Sequence, residues 1–230
     1  MRPPRMRVAL FGRSLAGFTL ANAMERVGHE VQMLSDPAEL SSFEALIIAV
    51  GDSRLEATVE LLEPYVHRGL IVFHTCLSRG VQVLDPLETH GCVVAALAPF
   101  TLKRWAVTTL DELGETVVEL NIAEFRAETV ALSDAERAPF APRAYYAEML
   151  RRLHISAAVD AHFLSPSEEP PLVGEDMDTE EIIAAYRGAT DPGLRRSYVE
   201  VARRLGEVDG REDLEMWARQ EEGRRSLRQG

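Results

Sequence analysis

Residues Val8-Ala9-Leu10-Phe11-Gly12-Arg13-Ser14-Leu15-Ala16-Gly17 lead through Phe18–Val27 into Gly28-His29-Glu30-Val31-Gln32-Met33-Leu34, and the organisation of the chain follows from them. Four consecutive apolar residues suit a strand buried on both faces. After Gly17 the apolar positions recur at helical spacing through Leu20, Met24 and Val27. Gly28 can end that helix, and Val31–Leu34 supplies a second parallel strand. Together they make a βαβ unit.

Its glycines suggest a use. A dinucleotide fingerprint, Gly-x-Gly-x-x-Gly, needs a tight first turn, a residue without a side chain facing the pyrophosphate, and a third glycine where helix meets strand. Gly12 and Gly17 hold the outer positions, but Ser14 occupies the middle one, where its hydroxyl either crowds the phosphates or donates to them. Helix-start amides offer an anion site in either case, so Gly12, Arg13, Ser14, Leu15 and Gly17 are the candidate pyrophosphate residues. The competing reading keeps the unit as scaffold only.

After the second strand, Ser35 and Asp36 stand where such a domain selects its cofactor. The serine suits the extra phosphate of NADP, whereas the acid suits the ribose of NAD or caps the following turn. The expected cofactor is NADP or NAD, with a slight lean to NADP.

Ala45–Val50 reads as a central strand, and Asp52 just beyond it is either the cap of the next helix or a cofactor neighbour. A fourth strand, Leu70–Phe73, delivers His74-Thr75-Cys76 to the same edge. A histidine there can relay a proton near pH 7 and a threonine can fix a carbonyl or ribose oxygen. The alternative is a backbone-bonded histidine beside a small buried cysteine. Cys92–Leu97, Trp105–Thr108 and Thr129–Leu132 complete a parallel sheet alternating with helices.

Beyond Ser133 the strand–helix alternation stops. Pro139 and Pro142 punctuate the boundary, Pro142 suits a first helical turn, and Arg143–Leu164 follows helical spacing. Shorter helices are expected over Ile182–Tyr186, Leu194–Leu205 and Leu214–Trp217, after a proline- and acid-rich loop at Ser165–Asp178. The expected fold is therefore α/β: a Rossmann-like parallel sheet over residues 6–133, covered by helices, followed by a smaller all-helical domain over 134–230 that begins with a long linking helix. A helical core that small is marginal alone, so a homodimer is expected.

The composition bounds the function classes. Acids outnumber bases 37 to 25, for a net charge of −12, which opposes nucleic-acid binding, and no basic recognition helix occurs. Acids crowd Glu168–Glu181, which reads as a solvated segment or, as a minority reading, a surface for a basic partner. No apolar stretch approaches a membrane span and the N-terminus carries no signal core, so cytoplasm is the expected location. Two cysteines make no disulfide framework, and no Cys/His cluster has metal-ligand spacing.

Gly12–Gly17, Gly28-His29-Glu30-Val31, Val72-Phe73-His74-Thr75 and Leu84–Pro99 together resemble a family of Rossmann-like proteins with a helical C-terminal domain. That family lies near the oxidoreductases of the 6-phosphogluconate dehydrogenase type, such as pyrroline-5-carboxylate reductase and ketopantoate reductase. The resemblance covers about residues 6–165. It implies an NAD(P)-dependent hydride transfer involving a small carbonyl, imine or alcohol substrate, with His74 and Thr75 beside it. The family's His-Thr-Ser-Gly stretch is His74-Thr75-Cys76-Leu77 here, its Ser-Leu-His-Pro stretch is Ala96-Leu97-Ala98-Pro99, and its Tyr-His pair falls near Pro139-Phe140-Ala141. Two histidines are thus missing, since an alanine methyl moves no proton. Three alternatives follow: a changed substrate, an acid/base role moved to His74 or Tyr145, or a binding or protein-interaction module that is no longer an enzyme. Tyr145 has packing as its own competing role.

Overall fold

A computed structural model describes residues 5–100, 103–160 and 178–229. The chain forms two compact units, Met1–Arg137 and Ala138–Gly230.

In the first unit, β1 (Arg7–Gly12), α1 (Leu15–Val27), β2 (Glu30–Met33), β3 (Ala45–Ala49), α2 (Leu55–Leu62), β4 (Ile71–His74), α3 (Asp85–Thr89) and β5 (Val93–Pro99) alternate as expected. They are followed by β6 (Arg104–Thr109), α4 (Glu112–Phe125) and β7 (Glu128–Ala131). The seven strands form one sheet in the order β2-β1-β3-β4-β5-β6-β7. Strands β1 to β5 run parallel, with Leu10 opposite both Met33 and Ile47. Strand β6 turns back antiparallel to β5, pairing Leu97 with Val107, and β7 runs parallel to β6. The sheet is therefore mostly parallel rather than wholly so. Only residues 100–103 separate β5 from β6, and a parallel crossover needs about a dozen residues or more.

Period-two alternation divides the strand residues between two cores. Ala9, Leu46, Ile48, Val72 and Val94 face Leu55, Val59 and Leu62 of α2 and Leu87 of α3. Val8, Leu10, Ile47, Phe73, Ala95 and Leu97 face Leu20 and Met24 of α1 and Val118 and Ile122 of α4. Covered on both faces, the central strands need the continuous apolar runs that mark them in the sequence.

Helix α5 (Asp134–Asp160) begins in the first unit and continues into the second, and both Pro139 and Pro142 lie inside it. This corrects the expected start at Arg143 and the placing of Pro142 in a first turn. The helix starts earlier because Glu136 reaches back over its first turn: its carboxylate accepts from the Ser133 amide at 2.8 Å and from the Ser133 hydroxyl at 2.6 Å. Pro142 has no amide to give the Ala138 carbonyl. That carbonyl instead lies so close to Gly188 that a Cβ at 188 would overlap it.

In the second unit α6 (Thr179–Tyr186), α7 (Pro192–Asp209) and α8 (Glu212–Gln229) join α5. Its core gathers Met149, Ile182, Tyr198, Val199, Leu205 and Leu214. The Tyr198 hydroxyl donates to the Ile182 carbonyl at 2.8 Å, and Tyr186 meets Trp217 edge to face at 5.3 Å. Helices α7 and α8 extend beyond the expected ranges. All of the loop expected at Ser165–Asp178 except its last residue lies outside the described residues, as does most of the acidic segment. Among the described residues no helix is long and apolar enough to cross a membrane. No cluster of three or more His, Cys, Asp or Glu there could hold a metal ion.

Candidate functional site

The loop from β1 into α1 is shaped by Ala49 of β3. Gly12 has φ +102°, and a Cβ there would overlap the Ala49 carbonyl, while a Cβ on Gly17 would overlap the Ala49 side chain. Both glycines are thus required for α1 to approach the sheet this closely, whatever the loop binds. Ser14 is buried and N-caps α1: its amide donates to the Ala49 carbonyl at 2.8 Å, and its Oγ accepts from the Gly17 amide at 3.2 Å. The same Oγ lies 3.4 Å from Thr75 Oγ1. The hydroxyl that stands in place of the middle glycine therefore faces into the fold. Among the described residues no acceptor engages the Leu15 and Ala16 amides, so they keep the donor capacity of a helix N-terminus. Arg13 is exposed beside them.

Ser35 is exposed beyond β2. Asp36 caps the 3-10 turn Pro37–Ser42, its Oδ1 accepting from the Ala38 amide at 2.9 Å, which is the capping alternative for this residue. Asp52 does not cap α2. The helix starts after Arg54 without a side-chain cap, and the Asp52 carboxylate instead accepts from the Ser78 hydroxyl. Burial pushes its pKa above the usual carboxylate range, against smaller opposing effects of Cys76, Arg79 and Arg137.

His74 is wholly buried at the end of β4. Its Nε2 lies 2.9 Å from the Gly80 carbonyl, which can only accept, so Nε2 carries the proton. Among the described residues, buried Nδ1 finds no hydrogen-bond partner. Burial, assisted by the Arg137 charge, lowers the pKa to about 3. A pKa that low makes the imidazole neutral near pH 7, with its Nε2 proton held by the backbone. Thr75 is buried beside Ser14, and the Cys76 thiol donates to the Val50 carbonyl at 3.2 Å.

Sequence reasoning missed a side chain bonded at every nitrogen of its guanidinium. Arg137, in the first turn of α5, has no exposed surface. Its Nε donates to Thr108 Oγ1 at 2.6 Å and its Nη2 to the Ala96 and Ala106 carbonyls, both at 2.9 Å. Nη1 reaches the carbonyls of Cys76, Leu77 and Arg79 at 2.9, 3.4 and 3.2 Å. Burial lowers its pKa to about 10, leaving it charged at neutral pH. Three residues earlier Asp134 accepts the Val81 and Gln82 amides at 2.8 and 3.0 Å.

Tyr145 belongs to the second unit, where its hydroxyl donates to Glu181 Oε2 at 2.8 Å. The structure thus brings Gly12, Ser14, Gly17 and Thr75 together, with Asp52 at the end of the neighbouring strand, and gives Asp36 and Tyr145 local partners elsewhere.

A seven-stranded, mostly parallel sheet with a glycine-bounded first turn defines a Rossmann-like domain, here followed by a helical unit. Residues 36–99 match the family described as a Rossmann-like domain, and residues 166–221 match the one described as 6-phosphogluconate dehydrogenase C-terminal domain-like. No protein of curated function matches the chain in sequence. Solved structures share the fold. The arogenate dehydrogenase of Synechocystis is 13% identical with a TM-score of 0.52, the match covering 97% of this chain and 90% of that one. The prephenate dehydrogenase of A. aeolicus, in complex with hydroxyphenyl propionate and NAD+, is 13% identical with a TM-score of 0.52 over 100% and 90%. The pyrroline carboxylate reductase of Plasmodium falciparum, with NADP bound, is 11% identical with a TM-score of 0.55 over 93% and 98%.

Proposed function

We propose that the protein binds NADP or NAD at the Gly12–Gly17 turn and transfers hydride to or from a small carbonyl, imine or alcohol. The observation that carries this reading is the inward-facing Ser14 hydroxyl, which leaves the start of α1 clear and the Leu15 and Ala16 amides available to a pyrophosphate. When bound, the nicotinamide supplies the hydride chemistry. In this reading Gly12 and Gly17 set the tight turn that presents the Leu15 and Ala16 amides to the phosphates, and Thr75 holds an oxygen at the end of β4. Among the groups on these strand ends, Asp52 carries a carboxyl that the Ser78 hydroxyl holds and whose pKa burial raises. We assign it the proton-supplying role that a neutral, enclosed His74 does not fill.

Calorimetric titration with NADPH and NADH tests the binding step. Saturable heat with either one is the expected result, and none with both at millimolar concentration overturns it. The proposal includes a homodimer, which a monomeric mass by light scattering at high micromolar concentration would oppose.

Ala98, Ala141 and the low pKa of His74 favour a second reading, a Rossmann-like module that binds the cofactor without turnover. Cofactor binding with no oxidation or reduction across a panel of ketones, imines and alcohols would select it.

A further inference from the structure

The loop following β4 has no regular structure from Thr75 to Gly80, yet its backbone groups are extensively bonded. The bonds divide by polarity. Carbonyls of Cys76, Leu77 and Arg79 are taken by the Arg137 guanidinium, amides of Val81 and Gln82 by the Asp134 carboxylate, and the Gly80 carbonyl by His74 Nε2. One anion and one cation, spaced three residues apart at the start of α5, thus serve donors and acceptors of one loop. Close packing reinforces the grip, since a Cβ on Gly80 would overlap the Asp134 carboxylate. The remaining Arg137 bonds, to Ala96, Ala106 and Thr108, anchor the guanidinium to β5 and β6. The loop's first residue, Thr75, lies 3.4 Å from the Ser14 hydroxyl that caps α1.

We propose that Asp134 and Arg137 are positioning residues: they hold the Thr75–Gln82 loop so that Thr75 abuts the Ser14 cap and the Gly12–Gly17 turn keeps its ligand-ready form. Arginine suits the task because its planar fork serves five carbonyls and a hydroxyl at once, which a lysine's single ammonium cannot reproduce. The effect on nucleotide affinity rests on the dinucleotide reading above, whereas the effect on the loop does not.

The two free cysteines provide a local reporter and its control, because Cys76 lies in the clamped loop and Cys92 just before β5, both buried. Full-length wild type, Asp134→Asn and Arg137→Met are compared by alkylation with iodoacetamide, resolved by mass, by amide hydrogen exchange and by NADPH titration. In both variants Cys76 should react at least about tenfold faster with Cys92 unchanged, segments 75–82 and 12–18 should exchange faster while β3 stays protected, and the NADPH Kd should rise at least about tenfold. Asp134→Asn keeps the side-chain shape and covers the case in which Arg137→Met does not fold. Cys92 and β3 loosening together with Cys76 would overturn the proposal, as would a loosened loop with an unchanged 12–18 segment and an unchanged Kd. Wild type that binds neither NADPH nor NADH overturns the dinucleotide reading alone, and the alkylation and exchange data still decide the clamp.

Discussion

Ser14 and Gly17 are bonded across the first turn of α1, the Gly17 amide donating to the Ser14 hydroxyl at 3.2 Å. The residue that interrupts the glycine fingerprint is therefore the cap of the helix behind it. Ser14→Ala removes the acceptor and should lower stability by about 1 kcal/mol, whereas Ser14→Gly should cost only about a few tenths. Urea denaturation of the two variants checks the ordering, and equal midpoints would show that the cap contributes nothing.

Gly17 and Ala49 share one space. Gly17→Ala alone should destabilise the fold by about 2 kcal/mol or more, because the added methyl overlaps the Ala49 side chain. Adding Ala49→Gly should recover part of the loss, so the double variant should be more stable than the sum of the single effects predicts. Additive effects in thermal or chemical denaturation would contradict the packing described.

His74 makes stability depend on acid. In the unfolded chain the imidazole takes up a proton near pH 6.5, but in the fold it does so only near pH 3, so unfolding is accompanied by proton uptake between these values. The contribution is complete above pH 6.5 and is lost as pH falls toward 3, with a slope that approaches about 1.4 kcal/mol per pH unit. His74→Gln, whose amide can still donate to the Gly80 carbonyl, should flatten the curve by one proton over that range. Denaturant midpoints measured from pH 7 to pH 4 provide the test.

Tyr145 donates to a carboxylate at a buried position of α6, Glu181. Tyr145→Phe should therefore destabilise the protein by about 1.5–3 kcal/mol, the range for a hydrogen bond to a charged group. A drop in turnover at unchanged stability would point instead to the acid/base role considered from sequence.

The central strands and the first strand–turn–helix were legible because burial on both faces leaves an unbroken apolar run, as in Ala45–Val50. Strand direction was not written into β6, since Trp105–Thr108 has the same composition whichever way it runs. The four residues between β5 and β6 were the available clue. Pro139 and Pro142 misled because a proline disfavours a helix interior only through its lost bond and ring clash, and the Ser133–Glu136 cap had already committed the chain upstream. Arg137 could not have been singled out: an arginine in the first turn of a helix reads as a solvated charge, and the carbonyls that enclose it come from three separate stretches of the chain. Asp52 and Asp36 each had a capping reading on local grounds, and only the bonds formed separated them.

The Arg137 guanidinium is bonded by carbonyls and one hydroxyl rather than by a carboxylate. A chain of net charge −12 thus encloses a permanent interior cation near the ends of its parallel strands. Exterior and interior charge are separable design variables here: the surface could be recoded toward neutrality to alter solubility or crystallisation while the enclosed guanidinium keeps its bonds.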